Sequence, residues 1–287
     1  MHSGQNQKLE CALYVVATPI GNLRDISLRA LDVLMSADVI AAEDTRNTAH
    51  LLTHYGIAAT RLLALYQHNE RGAAEKIIAL LAQGQSVALV SDAGTPAMSD
   101  PGVLLVETVR AAGYRVIPIP GANAALAALS AAGLPAPHFL FYGFLPNKSA
   151  ARCRELQGLD ALPYTLVFYE APHRILECVA DLQSVFGGER QIVFAREITK
   201  LFESIHRCTL AEAMDWLHAD ANNKRGEFVL LVSGATAKEG LDAEAERILA
   251  VLLQDLPLKQ AVQLAVQITG VGKNELYQRA LEMRGQE

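Results

Sequence analysis

Through the first half of the chain, short apolar runs end in loops rich in glycine, proline, threonine and aspartate, and the loops open onto amphipathic stretches. Runs this short and this rich in β-branched residues read as buried parallel strands. The pattern predicts strands at Tyr14–Ala17, Val39–Ala42, Leu62–Leu65, Val87–Val90 and Arg115–Ile119. Between them it predicts helices starting at Ser27, over Thr48–Tyr55, over Asn69–Gln83 and over Val103–Ala112, with Gly56, Gly84 and Gly113 as stops. Regular alternation of strand and helix is the pattern of a doubly wound parallel sheet.

Beyond Leu134–Pro137 the order changes. Strands are predicted at Phe139–Tyr142, Thr165–Tyr169, Gln191–Arg196, Leu201–His206 and Glu227–Val232, with helices near Ala150–Gln157, Arg174–Val185 and Leu210–Ala219. Successive strands without helices between them call for a mixed or antiparallel sheet. After Gly234 the periodicity is helical throughout, with Ala245, Ile248, Leu249 and Leu252 on one face and Ala261, Leu264, Ala265 and Ile268 on another. Taken on spacing alone, the helices around Thr269–Gly272 read as a packing unit rather than a nucleic-acid reader. The chain therefore divides into an α/β domain over 12–121, a second α/β domain over 122–236 and a small helical domain over 237–287.

Composition narrows the possible partners. With 287 residues, 51% of them hydrophobic, and a formal charge of −6, the chain can fold but has no general basic coat for nucleic acid, so any RNA would meet local patches. Its four cysteines, Cys11, Cys153, Cys178 and Cys208, stand far apart, which signals neither a zinc site nor a disulfide framework. The polar lead before Cys11 reads as a disordered leader, and no apolar run is long enough for a membrane, so a soluble cytoplasmic protein is expected.

The loops carry the candidate chemistry. Neither GxGxxG nor GxxxxGK[ST] occurs, which disfavours nicotinamide dinucleotides and nucleoside triphosphates. What the loops offer is small residues for close backbone approach and carboxylates at Asp25, Asp44, Asp92 and Asp100, suited to a ligand with hydroxyls, an amino group or positive charge. For most of these aspartates, taken singly, a helix N-cap or turn anchor is the commoner role. His50 and His54 have helical spacing but lack a third ligand, so they read as surface histidines. In YEAPHR, Glu170 could serve as a general base or could pair with Arg174 four residues on.

Seven ordered motifs, TPIGNLRDISLRAL, AAEDTRNT, VSDAGTPAMSDPG, PGANAALAALSAAGLP, TLVFYEAPHR, AREITK and RGEFVLLV, resemble those of the tetrapyrrole methylase superfamily, in its branch of bacterial 16S ribosomal RNA (cytidine-2′-O)-methyltransferases. The resemblance runs from Tyr14 to the C-terminus. It implies two α/β domains, S-adenosyl-L-methionine in the cleft between them, a small C-terminal helical domain, a homodimer, and the small ribosomal subunit as substrate, with no metal. Cofactor contacts carried over from the motifs are Thr18, Pro19, Ser91, Asp92, Ala93, Gly94, Met98, Asn123, Ala124 and Tyr169. Candidates for aligning or activating the ribose hydroxyl are Asp44, Arg46, Glu170, His173 and Lys200, and candidates for RNA phosphates are Arg24, Lys148, Arg152, Arg154, Lys224, Arg225, Lys259 and Lys273. Asp92 is expected at the cofactor and Asp100, before Pro101, to shape the turn. A tetrapyrrole methyltransferase and a non-catalytic RNA- or ribosome-binding protein on the same fold are the alternatives.

Overall fold

The computed structural model describes residues 8–58, 61–66, 69–134, 137–235 and 243–285. The polar lead through residue 7, part of the proline-bearing stretch at 134–137 and the start of the helical domain at 237 lie outside the described residues. The chain forms two compact units, residues 1–235 and 236–287.

In the larger unit, β1 (Ala12–Val16), α1 (Leu28–Ser36), β2 (Val39–Ala42), α2 (Thr45–His54), β3 (Arg61–Ala64), α3 (Glu70–Ala82), β4 (Val87–Val90), α4 (Val103–Ala111) and β5 (Arg115–Ile119) follow one another. The five strands make one all-parallel sheet in the order β3-β2-β4-β1-β5. Alternate residues face opposite layers, as a two-residue period requires. Tyr14, Ile40 and Ala88 pack with Val33, Leu34 and Leu52 of α1 and α2, whereas Leu13, Val39 and Leu89 pack with Ile77, Leu81, Leu105 and Val109 of α3 and α4. Ser27 caps α1 by accepting the Ala30 N–H.

Helix α2 begins earlier than its apolar pattern predicts. The Asp44 carboxylate caps it by accepting the Arg46 N–H at 2.8 Å, so AEDTRNT is half loop and half helix rather than all loop.

Next come α5 (Ala124–Ala131), β6 (Phe139–Phe144), α6 (Ser149–Leu159), β7 (Thr165–Glu170), α7 (Ile175–Phe186), β8 (Gln191–Arg196), β9 (Ser204–Thr209), α8 (Leu210–Ala219) and β10 (Phe228–Val232). Their sheet has the order β6-β7-β10-β8-β9, parallel only between β6 and β7. Helices α6, α7 and α8 cover one face, while Ala125 and Ala128 of α5 cover Val167, Val193 and Val229 on the other. Strand β9 starts three residues later than predicted, at Ser204 rather than Leu201. Leu201 and Phe202, whose apolar character drew the prediction, are 89% and 68% exposed in the connecting turn.

The smaller unit packs α9 (Ala243–Asp255), α10 (Leu258–Thr269) and α11 (Lys273–Gly285) around Ala245, Leu249, Val262, Ala265, Leu276 and Ala280. Ile268, predicted on the buried face of α10, is 60% exposed, and Val262 takes its place. Gly270, at φ +72°, ends α10 in the left-handed conformation that a C-terminal cap demands. Among the described residues, no helix is long and apolar enough to cross a membrane.

Candidate functional site

In the first sheet β4 lies between β1 and β2, and the chain leaves β1 toward one side and β4 toward the other. The loops after these two central strands therefore diverge, which opens a crevice at their carboxyl ends. Backbone hydrogen bonds tie the loops together at its floor: Thr18 N–H donates to Gly94 O at 2.8 Å and Gly94 N–H to Thr18 O at 3.1 Å. Thr18 is buried, and its hydroxyl donates to Ser91 O at 3.2 Å.

The second sheet closes this crevice into a cavity of about 310 Å³. Gly94, Met98 and Asp100 form one wall, Asn123 and Ala124 at the start of α5 a second, and Tyr169, Ala195 and Val229 the third. Gly143 lets the two halves approach: a Cβ there would lie 2.6 Å from Ser99 Oγ, and its φ of +82° lies in the region that favours glycine. Ala97, Ser99, Glu197 and Thr199 also hold positive φ, so both loops flanking the cavity are conformationally strained.

Electrostatically the first wall is acidic. Burial first, then the charge of Glu43, raises the Asp100 carboxyl to about 6. Burial also raises Glu43, with Asp92 and Asp44 adding to the shift and the Asp92 N–H opposing it. Asp44 goes the other way, to about 2, because the Arg46 guanidinium hydrogen-bonds it. Across the cavity, burial raises the Tyr169 hydroxyl, the Ala125 amide tempers the shift and the Asp100 charge adds to it. Burial works against the Lys200 ammonium, but Glu197 and Glu227, each 2.8 Å from Nζ, outweigh it and hold the group charged.

A second cavity, of about 420 Å³, adjoins the first and shares Ile20, Ala93, Lys200 and Glu227 with it. Thr18, Pro19, Ser91 and Asp92, all expected at the cofactor, line this second space and not the first. The physical reason for Asp92 is local. Its Oδ1 accepts the Asp44 N–H at 3.1 Å and its Oδ2 accepts Asn47 Nδ2–H at 2.9 Å, which turns the carboxylate toward α2. Asp100, expected to shape the turn before Pro101, lines the first cavity.

Other candidates separate in the same way. Lys200 stands between both cavities, whereas Arg46 is a surface side chain paired to Asp44 at 2.6 Å. Glu170 has no exposed side-chain area and lies 3.1 Å from Arg174 Nε, so its ion pair is present, and it also lines the first cavity with its Oε2 unpartnered among the described residues. His173 is exposed beside it. Arg152 is not an RNA contact: it is fully buried, 2.6 Å from Asp181, with Pro146 O also accepting from it. Arg24, Lys148, Arg154, Arg225, Lys259 and Lys273 are exposed and Lys224 is half-buried. His50 and His54 face the second cavity, and among the described residues no group of three His, Cys, Asp or Glu could hold a metal. Asn47, Glu197 and Glu227 also line these cavities and stand inside the motifs AAEDTRNT, AREITK and RGEFVLLV; the partners of Asn47 and Glu227, Asp92 and Lys200, are far away in sequence, whereas Glu197 pairs with Lys200 three residues on.

Residues 12–214 match the family model described as Tetrapyrrole (Corrin/Porphyrin) Methylases. The chain belongs to the tetrapyrrole methylase family. Residues 239–284 match a second model, the RsmI C-terminal HTH domain, so the helices around Thr269–Gly272 are a helix-turn-helix of that type rather than a plain packing unit. The chain is 55% identical over 276 residues to the ribosomal RNA small subunit methyltransferase I of Pseudomonas aeruginosa, covering 95% of this chain and 98% of that protein. It is 53% identical over 274 residues to the protein of the same name from Escherichia coli O157:H7, covering 95% and 96%. Among solved structures, the methyltransferase CobJ matches with a TM-score of 0.58 at 23% identity, over 78% of this chain and 94% of that one. A uroporphyrin-III-C-methyltransferase from Thermus thermophilus matches with a TM-score of 0.54 at 22% identity, over 77% and 93%. These two likenesses concern the family fold.

Proposed function

We propose that this protein is an S-adenosyl-L-methionine-dependent methyltransferase that modifies the 2′-oxygen of a cytidine ribose in 16S rRNA of the small ribosomal subunit. The observation that carries the reading is end-to-end similarity, through both the methylase region and the helical unit, to the ribosomal RNA small subunit methyltransferase I proteins. The division into 12–121, 122–236 and 237–287, the homodimer and the cytoplasmic setting belong to the same proposal.

The first cavity fits the cofactor. Gly94, at φ +81°, brings bare backbone to its wall, and a Cβ there would press on Ile20 at 3.3 Å. The Asp100 carboxylate supplies a counter-charge for a sulfonium. The bound cofactor supplies a methyl group already activated by positive sulfur, so the chain's main task is to align the ribose oxygen with it and to exclude water. Asn123, whose side chain caps α5 by accepting the Leu126 N–H, fixes the wall that Ala124 presents. Lys200, held charged between Glu197 and Glu227, stabilises negative charge developing on the ribose oxygen and does not act as a base.

The test is incorporation of label from S-adenosyl-L-methionine into small ribosomal subunits, naked rRNA or uroporphyrinogen, with the modified ribose then mapped. Label at a cytidine 2′-oxygen is expected. Label only in the tetrapyrrole, or cofactor binding without transfer to any acceptor, would overturn the reading.

A further inference from the structure

The second cavity shares a wall with the cavity proposed above for the cofactor. One face of α2 lines it: Asn47, His50, Leu51 and His54 recur at the helical spacing of three, four and seven. Pro19 and Leu23 supply apolar surface opposite. A space of about 420 Å³ walled by apolar and polar side chains, Asp92, Lys200 and Glu227 among them, suits one flat, hydrogen-bonding ring system and its sugar.

The orientation of Asn47 is fixed by its neighbour. The Asn47 atom 2.9 Å from Asp92 Oδ2 is the amide nitrogen, which donates to that carboxylate oxygen. The Asn47 side-chain oxygen therefore points elsewhere, and among the described residues no group donates to it. That leaves a preset acceptor on the cavity wall. Cytosine presents an amino donor at the corresponding edge where uracil presents an oxygen. At the rim, Arg24 follows Leu23 and Arg46 precedes Asn47, both exposed, where the phosphates flanking an extruded nucleotide would run.

We infer that the cavity beneath α2 is the acceptor subsite, which takes a single cytidine flipped out of the RNA, with the Asn47 side-chain oxygen reading its amino group and His50 bearing on the base. Resting on the proposed rRNA methyltransferase activity, this reading names the site that chooses the acceptor. Extruding the nucleotide is what lets a buried donor reach a ribose. The shared residues Lys200 and Ala93 then lie where the ribose passes from one cavity to the other.

The test uses full-length protein and small subunits reconstituted with cytidine or uridine at the mapped position. Wild-type enzyme is expected to prefer cytidine by at least about tenfold in kcat/KM, the effect of one matched against one mismatched base contact. Asn47→Ala should lower cytidine methylation about tenfold, leave uridine nearly unchanged and so abolish the preference. His50→Ala should lower both substrates by a similar factor and keep the ratio, because stacking does not distinguish the bases. Calorimetric cofactor affinity should stay within about twofold in both variants, since neither residue lines the first cavity. An Asn47→Ala enzyme that keeps the wild-type preference overturns the subsite and leaves the methyltransferase reading standing. Wild-type protein that transfers no methyl to either subunit overturns both.

Discussion

Arg174 Nε lies 3.1 Å from Glu170 Oε1, with Arg174 only 15% exposed and Glu170 not at all. Arg174 also donates to Leu145 O at 2.7 Å, and the Glu170 Oε1 accepts the Ala171 N–H at 2.8 Å. One oxygen of the carboxylate at the end of β7 thus holds the β7–α7 turn, while Oε2 has no hydrogen-bond partner among the described residues. Removing Arg174 strands a buried charge, so Arg174→Ala should cost about 3 kcal/mol in denaturant unfolding. Glu170→Gln should change methyl-transfer kcat by less than about threefold, whereas loss of a general base would cost about a hundredfold or more.

Asp100 makes the cofactor site sensitive to pH. Its carboxyl rises from 3.8 to about 6 in the folded chain, so the folded state binds the extra proton between those values. The associated stability is present below about pH 4 and is lost as pH rises through about 6. Asp100→Asn should therefore stabilise the protein at pH 7, by about 1–2 kcal/mol after allowing for partial solvent access. Affinity for the cationic cofactor should rise as wild type passes pH 6 and Asp100 ionises, while neutral S-adenosylhomocysteine shows little change. Calorimetry across this range checks both, and a flat profile for the cation would remove Asp100 from the site.

Asp92 should behave differently from Asp100. Asp92→Ala removes the acceptor for both the Asp44 N–H and the Asn47 amide, loosening the start of α2. We expect cofactor affinity within about twofold of wild type and a several-fold higher KM for the ribosomal acceptor. A large loss of cofactor affinity would instead return Asp92 to the cofactor side.

Gly143 sets the separation of the two α/β halves. Gly143→Ala forces a Cβ to 2.6 Å from Ser99 Oγ at a φ of +82°. About 1–2 kcal/mol of stability should be lost, together with weaker cofactor binding. Adding Ser99→Ala should recover the part due to the clash and not the part due to the backbone, which paired thermal melts resolve.

Leu249, fully buried between the helices of the smaller unit, provides a separate check. Leu249→Ala should destabilise that unit by about 3 kcal/mol through an unfilled cavity. Transfer to small subunits should fall while cofactor affinity holds, and equal loss of both would contradict a cofactor site built from the larger unit.

Much of this architecture is legible along the chain because it depends on short-range periodicity. Strands such as Val39–Ala42 and Arg115–Ile119, the Ser27 cap and the mixed second sheet follow from two-residue and 3.6-residue patterns and from turn chemistry. Boundaries failed where a polar cap or an exposed apolar residue interrupted the pattern, as at Asp44 and at Leu201 and Phe202. The seven motifs identified the family and the loops that matter, since each loop is one contiguous run of residues.

Which side chain of a loop faces which space was decided only in three dimensions. Asp92 and Asp100 stand in one loop with similar neighbours, yet Asp92 turns to α2 through Asn47 and Asp44 while Asp100 turns into the first cavity. That Glu170 pairs through one oxygen with Arg174, four residues on, is likewise seen only in the fold. The reason is the same in each case: a carboxylate goes where its donors are, and those donors are fixed by sheet order, helix placement and the closeness that Gly143 permits between the two halves.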